Sequence, residues 1–325
     1  MNDVRAVIFD LDGVVTDTAE HHYQAWQRLA DEEGLPFDRS VNELLRGVSR
    51  RESLAIVLAG RPIAESAAAE LMARKNEYYV ALLEGLGPAD ILPGVDALLD
   101  ELRAAGVRTA IASASKNART VLGRLGLADR FDAVVDGSLV GAAKPAPDVF
   151  WQAAASLGIP AGLCVVIEDA AAGVEGALRA GMWTVGLGPA ARVGHAHARF
   201  DDLAGVGWQS IREALETASW TVHENSFDPA TMTHKETIIT VGNGNFCARG
   251  SFEEGFPGEN AASFMHRVWD DMPLTFTELA ALPRWWGFDL WVDDVRFRLD
   301  RGEVLAFDRR VDLRTGVLTR TVVWR

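Results

Sequence analysis

Five short, largely apolar runs constrain this chain more than any other feature. They are Val4–Phe9, Val107–Ala112, Ala133–Val135, Leu163–Ile167 and Trp183–Leu187. A run that is apolar on both sides of the pleat is buried on both faces, as strands of a parallel sheet are. Helical patterns separate the runs. In Val95–Leu102 the residues Val95, Leu98, Leu99 and Leu102 share one face, and Gly106 follows as a stop. Ala118–Leu125, closed by Gly126, and Pro147–Leu157, closed by Gly158, repeat the form. Strand–helix alternation of this kind predicts an α/β fold with a parallel sheet covered on both faces.

Thr18–Leu86 breaks the rhythm and reads as helices only: Thr18–Glu33, Arg50–Leu58 and Ile63–Glu84. An insertion after the first strand would cover the carboxyl ends of the strands, where open α/β sheets bind ligands. Near residue 220 the composition changes. Six of the ten Trp lie beyond it. There Trp291–Leu299 alternates, with Val295, Phe297 and Leu299 expected to face a core. Val304–Phe307 and Gly316–Trp324 are further strands, and Gly242-Asn243-Gly244-Asn245 is a turn signal. This is an antiparallel pattern, expected as an incomplete sandwich. Of its Trp residues, core packing is the favoured reading over sugar stacking.

The 325 residues suggest two domains or three. With 48% hydrophobic and 24% charged residues the chain is not of a disordered class. No stretch approaches the roughly 18 apolar residues of a membrane helix, and the N-terminus does not read as a secretory signal, so no membrane partner is expected. Two cysteines, Cys164 and Cys247, cannot build a disulfide framework, which fits a reducing cytoplasm. A net charge of −14 argues against a nucleic-acid partner. An anionic substrate then needs local positive charge.

Four polar motifs follow successive strands. They are Asp10-Leu11-Asp12-Gly13-Val14, Ser113-Ala114-Ser115, Lys144-Pro145 and Glu168-Asp169. Each alone reads as a turn, a cap or a solvated pair. Together they suit phosphoryl transfer. A carboxylate such as Asp10 can attack phosphorus, but charge repulsion opposes it. A divalent cation and fixed donors must offset that repulsion. Mg²⁺ takes hard oxygen ligands, which Asp10 and Glu168 or Asp169 can supply. Ser113 and the Ala114 N–H can hold phosphate oxygens, Lys144 adds a point charge, and Asp12 remains as general acid and base.

In this order the motifs resemble those of the haloacid dehalogenase superfamily, and Thr18–Leu86 resembles its helical cap. The likeness narrows to the β-phosphoglucomutases through His22-x-x-x-Trp26, Arg46-Gly47-Val48-Ser49-Arg50, Lys75-Asn76 and Ser113-Ala114-Ser115-Lys116-Asn117. It implies a Rossmann-like core over residues 1–17 and 88–219, a cap over 18–87 and a separate segment over 220–325. It also implies that Asp10 carries the phosphoryl group and that Asp12 serves the sugar oxygen. Thr18 and His22 would restrain Asp12 until sugar binds. Gly47, Val48, Ser49 and Arg50 would meet substrate, with Ser49 and Arg50 on the phosphate not being transferred. Lys75 would line the cap, and Ser113, Ala114, Ser115, Lys116, Asn117 and Lys144 would hold substrate from the core. Asp10, Asp12, Glu168 and Asp169 would serve as ligands for Mg²⁺. The substrate would be β-glucose 1-phosphate and the intermediate β-glucose 1,6-bisphosphate.

Trp26 has two readings, ligand contact and cap packing, and aromatic residues favour packing. His22 alone would be an ordinary helix residue. His195 and His197 read as loop, and Cys164 as a buried small hydrophobe. Glu236–Gly258 and Val311–Leu318 resemble the N-terminal β-sandwich of the maltose, trehalose and kojibiose phosphorylases. The catalytic acid of that family lies in a later helical barrel, so phosphorylase activity is not expected of residues 220–325. An interrupted sandwich should expose apolar edges, as a piece of a longer fused enzyme, or as a segment that is poorly ordered or finds a partner. Such phosphorylases release β-glucose 1-phosphate, so fusion to or cooperation with one would fit. Two other functions remain open: a sugar-phosphate phosphatase on the same fold, and a carbohydrate-binding or assembly role of residues 220–325.

Overall fold

The computed structural model describes residues 3–46, 48–224, 226–242, 246–258, 263–271, 277–282 and 287–325. The chain divides into two compact units, Met1–Glu216 and Thr217–Arg325.

The first unit is built on six parallel strands: β1 (Ala6–Phe9), β2 (Arg108–Ala112), β3 (Ala133–Val135), β4 (Cys164–Glu168), β5 (Trp183–Leu187) and β6 (Ala198–Phe200). Their order is β3-β2-β1-β4-β5-β6. Central β1 pairs on both sides, with Phe9 level with Ile111 and Ile167. Its side chains alternate between two hydrophobic layers, Val7 and Phe9 in one, Ala6 and Ile8 in the other. That double burial is why the strand is apolar throughout. The order reverses between β1 and β4, which opens a crevice at their carboxyl ends.

Between β1 and β2 lie α1 (Ala19–Glu33), α2 (Arg39–Glu43), α3 (Arg50–Val57), α4 (Glu65–Leu82) and α5 (Val95–Ala104). The first four form the cap. Gly34 ends α1 at φ 60°, donating its N–H to Ala30 and Asp31. Ser49 opens α3 with a reciprocal cap: its hydroxyl accepts from the Glu52 N–H, and the Glu52 carboxylate accepts from the Ser49 N–H. The cap has its own apolar cluster, which includes Trp26, Leu29, Leu54, Val57 and Leu71. Tyr79, Leu83 and Leu86 instead join the core beneath. The core helices are α6 (Ala118–Leu125), α7 (Asp148–Leu157), α8 (Ala171–Arg179), α9 (Ala190–Val193) and α10 (Trp208–Ser219). Among the described residues no helix is long and apolar enough to cross a membrane.

His197 lies in the loop before β6, as expected, and is held there. Its Nδ1 meets Thr184 Oγ1 at 3.0 Å, and its ring lies 4.6 Å from that of Trp183. This fastens β6 to β5. Cys164 is buried at the start of β4, and burial pushes its thiol up to about 11.

In the second unit β14 (Val304–Asp312) pairs antiparallel with β15 (Val317–Trp324) and with β7 (Thr221–Glu224). A four-stranded sheet holds β8 (Val241–Gly242), β9 (Phe246–Ala248), β10 (Ser263–Asp271) and β11 (Thr277–Leu282). Phe227, Phe252 and Phe307 pack at centroid spacings near 6 Å. Buried Arg309 donates to Glu224 Oε2 and to the Gly250 carbonyl at 2.8 and 2.6 Å. Trp291–Leu299 is not one strand. It breaks into β12 (Trp291–Val292) and β13 (Val295–Arg296) around Asp293 and Asp294, both at positive φ. Asp tolerates the left-handed region that a two-residue hairpin needs. Leu299 is buried as expected, but Val295 is exposed. Trp220 and Trp291 are also exposed, against their reading as core residues. Asn243–Asn245 of the turn signal lie outside the described residues.

Candidate active site

Asp10 leaves β1 at the crevice, and its N–H donates to the Ile167 carbonyl at 2.9 Å. Lys144 Nζ reaches it from the loop before α7, 2.5 Å from Asp10 Oδ1 and 2.7 Å from Glu168 Oε2. Burial alone would depress this lysine, but Asp10 and Glu168 outweigh it and hold the ammonium charged. Asp10, Glu168 and Asp169 each present an oxygen, all within 4.8 Å of one another, and all three are buried. Burial, and then the charge of Asp10, pushes both Glu168 and Asp169 up. The three crowded carboxylates meet one buried ammonium, with the Arg46 guanidinium reaching Asp169 from the cap, so negative charge remains in excess. A hard-oxygen donor set of this kind fits a divalent metal ion.

Two glycines make the cluster possible. A Cβ on Gly13, at φ 90°, would stand 2.4 Å from Asp169 Oδ2, and one on Gly173 would stand 2.0 Å from the Glu168 carboxyl carbon.

Asp12 belongs to a different set of partners. Its Oδ1 accepts from the Thr18 hydroxyl at the foot of α1. Its Oδ2 lies 4.0 Å from His22 Nε2. Burial, followed by Asp10, pushes the Asp12 carboxyl up to about 7. Burial and Lys75 hold His22 well below its usual range, so the ring is neutral. Lys75 Nζ lies 2.8 Å from His22 Nδ1. While Lys75 is protonated it can only donate, so Nδ1 then accepts and the ring proton sits on Nε2, facing Asp12. Lys75 is buried, and burial followed by Arg50 lowers it to about 7. Its ammonium stands over the Tyr79 ring at 4.8 Å and the Trp26 ring at 5.2 Å. Trp26 itself is buried in the cap cluster.

On the core side Ser113 is buried, and its Oγ accepts from the Ser115 N–H at 3.0 Å. Ser115 Oγ accepts from the Asn117 N–H at 3.2 Å, while Lys116 is exposed. Gly137 follows β3 so closely that a Cβ would meet the Ala114 carbonyl at 2.3 Å. On the cap side Val48 is half-buried and the Ser49 hydroxyl is engaged in its helix cap. Arg50 Nη2 donates to Asn76 Oδ1 at 2.8 Å. Gly47 lies outside the described residues.

Sequence reasoning gave Arg46 no role of its own. Its Nη1 crosses from the cap to Asp169 Oδ2 at 3.0 Å, while Nε stays on Glu43. Its place in the Arg46–Arg50 run was the available signal.

The fold and the site together define the class, and residues 4–181 match the haloacid dehalogenase-like hydrolases. The chain belongs to that family. Within it the chain is 45% identical to the β-phosphoglucomutase of Bacillus subtilis (strain 168) over 189 residues, 57% of this chain and 84% of that protein. It is 34% identical to the fructose-1-phosphate phosphatase YqaB of Escherichia coli (strain K12), over 54% of this chain and 92% of that one. The crystal structure of β-phosphoglucomutase from Clostridium difficile superposes with a TM-score of 0.64 at 37% identity, covering 66% of this chain and 97% of that one. Residues 222–325 match the N-terminal domain of glycosyl hydrolase family 65. Kojibiose phosphorylase of Caldanaerobacter subterraneus subsp. tengcongensis is 31% identical over 115 residues, which is 35% of this chain and 15% of that protein.

Proposed function

We propose that the first unit is a sugar-phosphate enzyme, and specifically a β-phosphoglucomutase interconverting β-glucose 1-phosphate and glucose 6-phosphate. The observation that carries this reading is the separation of the two carboxylates of Asp10-x-Asp12. Asp10 sits on Lys144 in the core, while Asp12 is held by Thr18 at the foot of the cap and faced by His22. A mutase must keep its phosphoryl group from water. Tying the acid–base to the cap's position serves that need. The 45% identity to a named mutase supports the same choice.

In the proposed reaction an oxygen of Asp10 attacks the phosphorus of glucose 1,6-bisphosphate. The phosphorus–oxygen bond to the sugar breaks, and that sugar oxygen takes the proton of Asp12. Glucose 6-phosphate leaves, β-glucose 1-phosphate takes its place, and for return transfer Asp12 removes the proton of that sugar's 6-hydroxyl. That oxygen attacks the same phosphorus, and the bond to Asp10 breaks. Lys144 stabilises charge on Asp10, Ser113 and the Ala114 N–H bind phosphoryl oxygens, and Arg50 grips the phosphate not being transferred. Asp10, Glu168 and Asp169 would hold the metal, proposed as Mg²⁺, which supplies Lewis-acid relief of the repulsion at phosphorus. Asp12 is assigned to acid–base work rather than to the metal, because its carboxylate is engaged by Thr18.

The working enzyme is proposed to comprise core residues 1–17 and 88–219 with cap residues 18–87. Residues 220–325 point to the same sugar phosphate through their likeness to a disaccharide phosphorylase, and a cytoplasmic setting suits both. Phosphatase action is the second reading, favoured by the likeness to a fructose-1-phosphate phosphatase. The test is incubation with β-glucose 1-phosphate, Mg²⁺ and trace bisphosphate, following glucose 6-phosphate and free phosphate separately, with the α anomer as control. Glucose 6-phosphate from the β anomer alone supports the mutase. Free phosphate as the main product rejects it.

A further inference from the structure

Asn76 follows Lys75 on α4 and has none of the roles above. Its Oδ1 accepts two hydrogen bonds, from Arg50 Nη2 at 2.8 Å and from Asn117 Nδ2 at 2.9 Å. The donors come from opposite sides of the site. Arg50 opens α3 in the cap, and Asn117 precedes α6 in the core. Chemistry fixes the amide orientations. A guanidinium only donates, so Asn76 must turn its oxygen to Arg50. The same oxygen can serve Asn117 only if that residue presents its NH₂ group.

The Asn117 end is already held, through the Ser113 and Ser115 hydroxyls that tie its loop. A single carbonyl oxygen therefore gathers two donors, each suited to a phosphate oxygen, at one point across the cap and the core. Its neutrality matters. A phosphate dianion binds a guanidinium more strongly than an amide oxygen does, so the donors stay available to an incoming phosphate. A carboxylate at this position would neutralise Arg50 and repel the ligand.

We propose that Asn76 is a positioning residue that sets specificity, holding Arg50 and Asn117 at the spacing that grips the phosphate not being transferred. This rests on the phosphate-grip role given to Arg50. It favours substrates with a second phosphate over simple esters.

The test compares the full chain with its Asn76→Leu and Asn76→Asp variants. KM and kcat are measured for glucose 1,6-bisphosphate and for phenyl phosphate, which has no second phosphate, and all phosphorus-containing products are counted. Asn76→Leu should raise the bisphosphate KM about ten-fold, the scale of a lost hydrogen bond to a charged group. The bisphosphate kcat and both phenyl phosphate constants should stay near wild type. Asn76→Asp should also raise the bisphosphate KM alone, and it serves if the Leu variant does not fold. Parallel losses on both substrates, or an unchanged bisphosphate KM in a folded variant, would overturn the proposal. A wild type that makes only free phosphate rejects the mutase reading, while the KM comparison still decides the role of Asn76. An unchanged bisphosphate KM in Arg50→Ala rejects the grip, and this inference with it.

Discussion

Lys144 Nζ lies 2.5 Å from Asp10 Oδ1, and neither side chain is open to water. The same ammonium is 2.7 Å from Glu168 Oε2. Replacing it with Met would leave buried carboxylates without their internal cation. Breaking a buried pair in this way costs on the order of 3–5 kcal/mol. Lys144→Met should therefore lower the free energy of unfolding by about that amount at pH 7 in urea titrations, and should abolish turnover. A loss below about 1 kcal/mol, within the range of an exposed pair, would mean that Lys144 is not the counter-ion of this cluster.

The acid–base assignment is tested by Asp12→Asn. The amide can still pair with Thr18, so sugar phosphate should bind as before. Proton transfer should fail, and kcat should fall at least about 10²-fold, the range of general acid–base catalysis. Stopped-flow kinetics and a binding titration separate the two effects. Wild-type kcat in this variant would place the acid–base elsewhere.

Much of this site is legible in the sequence, and the reasons are local. Four motifs follow continuous apolar strands, and that order alone sets them at the carboxyl ends of a parallel sheet. The rest is not written locally. Strand β6 has three residues with exposed Arg199 in the middle, so it offers no pattern. Helix α8 carries Gly173 and Gly176, which weaken a helical signal. Gly173 is there for the Glu168 carboxyl, and a Cβ on Gly176 would stand 3.1 Å from the Phe150 ring. The Arg46–Asp169 pair spans 123 positions and the Asn76–Asn117 bond spans 41, so both exist only once the cap meets the core.

Stability should also report on Lys75. Its pKa is about 7 in the folded protein against 10.5 for a free side chain, because of burial and then Arg50. Between those values the unfolded chain binds more protons, so this group makes the protein more stable as pH rises from 7 towards 10.5. Below about 7 the full penalty of burying the ammonium is present. Lys75→Met removes the penalty. Relative to wild type, the variant should fare better at pH 6 than at pH 9 in urea unfolding, while losing affinity for sugar phosphate. A difference that is equal at the two pH values would contradict a depressed Lys75.

Metal removal has a defined outcome. Chelation should stop turnover, Mg²⁺ should restore it, and Zn²⁺ should do no better, since the cluster offers only hard oxygens. Saturating Mg²⁺ should raise the melting temperature of the wild type, because it binds the folded state alone. Asp169→Asn should abolish that shift. Full activity in excess chelator, or an unchanged shift in the variant, would reject the cluster as the metal site.

The transfer itself is followed most directly with label. The enzyme is mixed with glucose 1,6-bisphosphate carrying ³²P in both phosphates, separated rapidly from free ligand, and chased with unlabelled β-glucose 1-phosphate. Label should sit on the peptide holding Asp10 before the chase and pass into glucose bisphosphate and glucose 6-phosphate after it. Asp10→Asn should retain none. Label recovered as free phosphate in the presence of the sugar phosphate, or found on a peptide without Asp10, would contradict phosphoryl transfer from Asp10 to sugar.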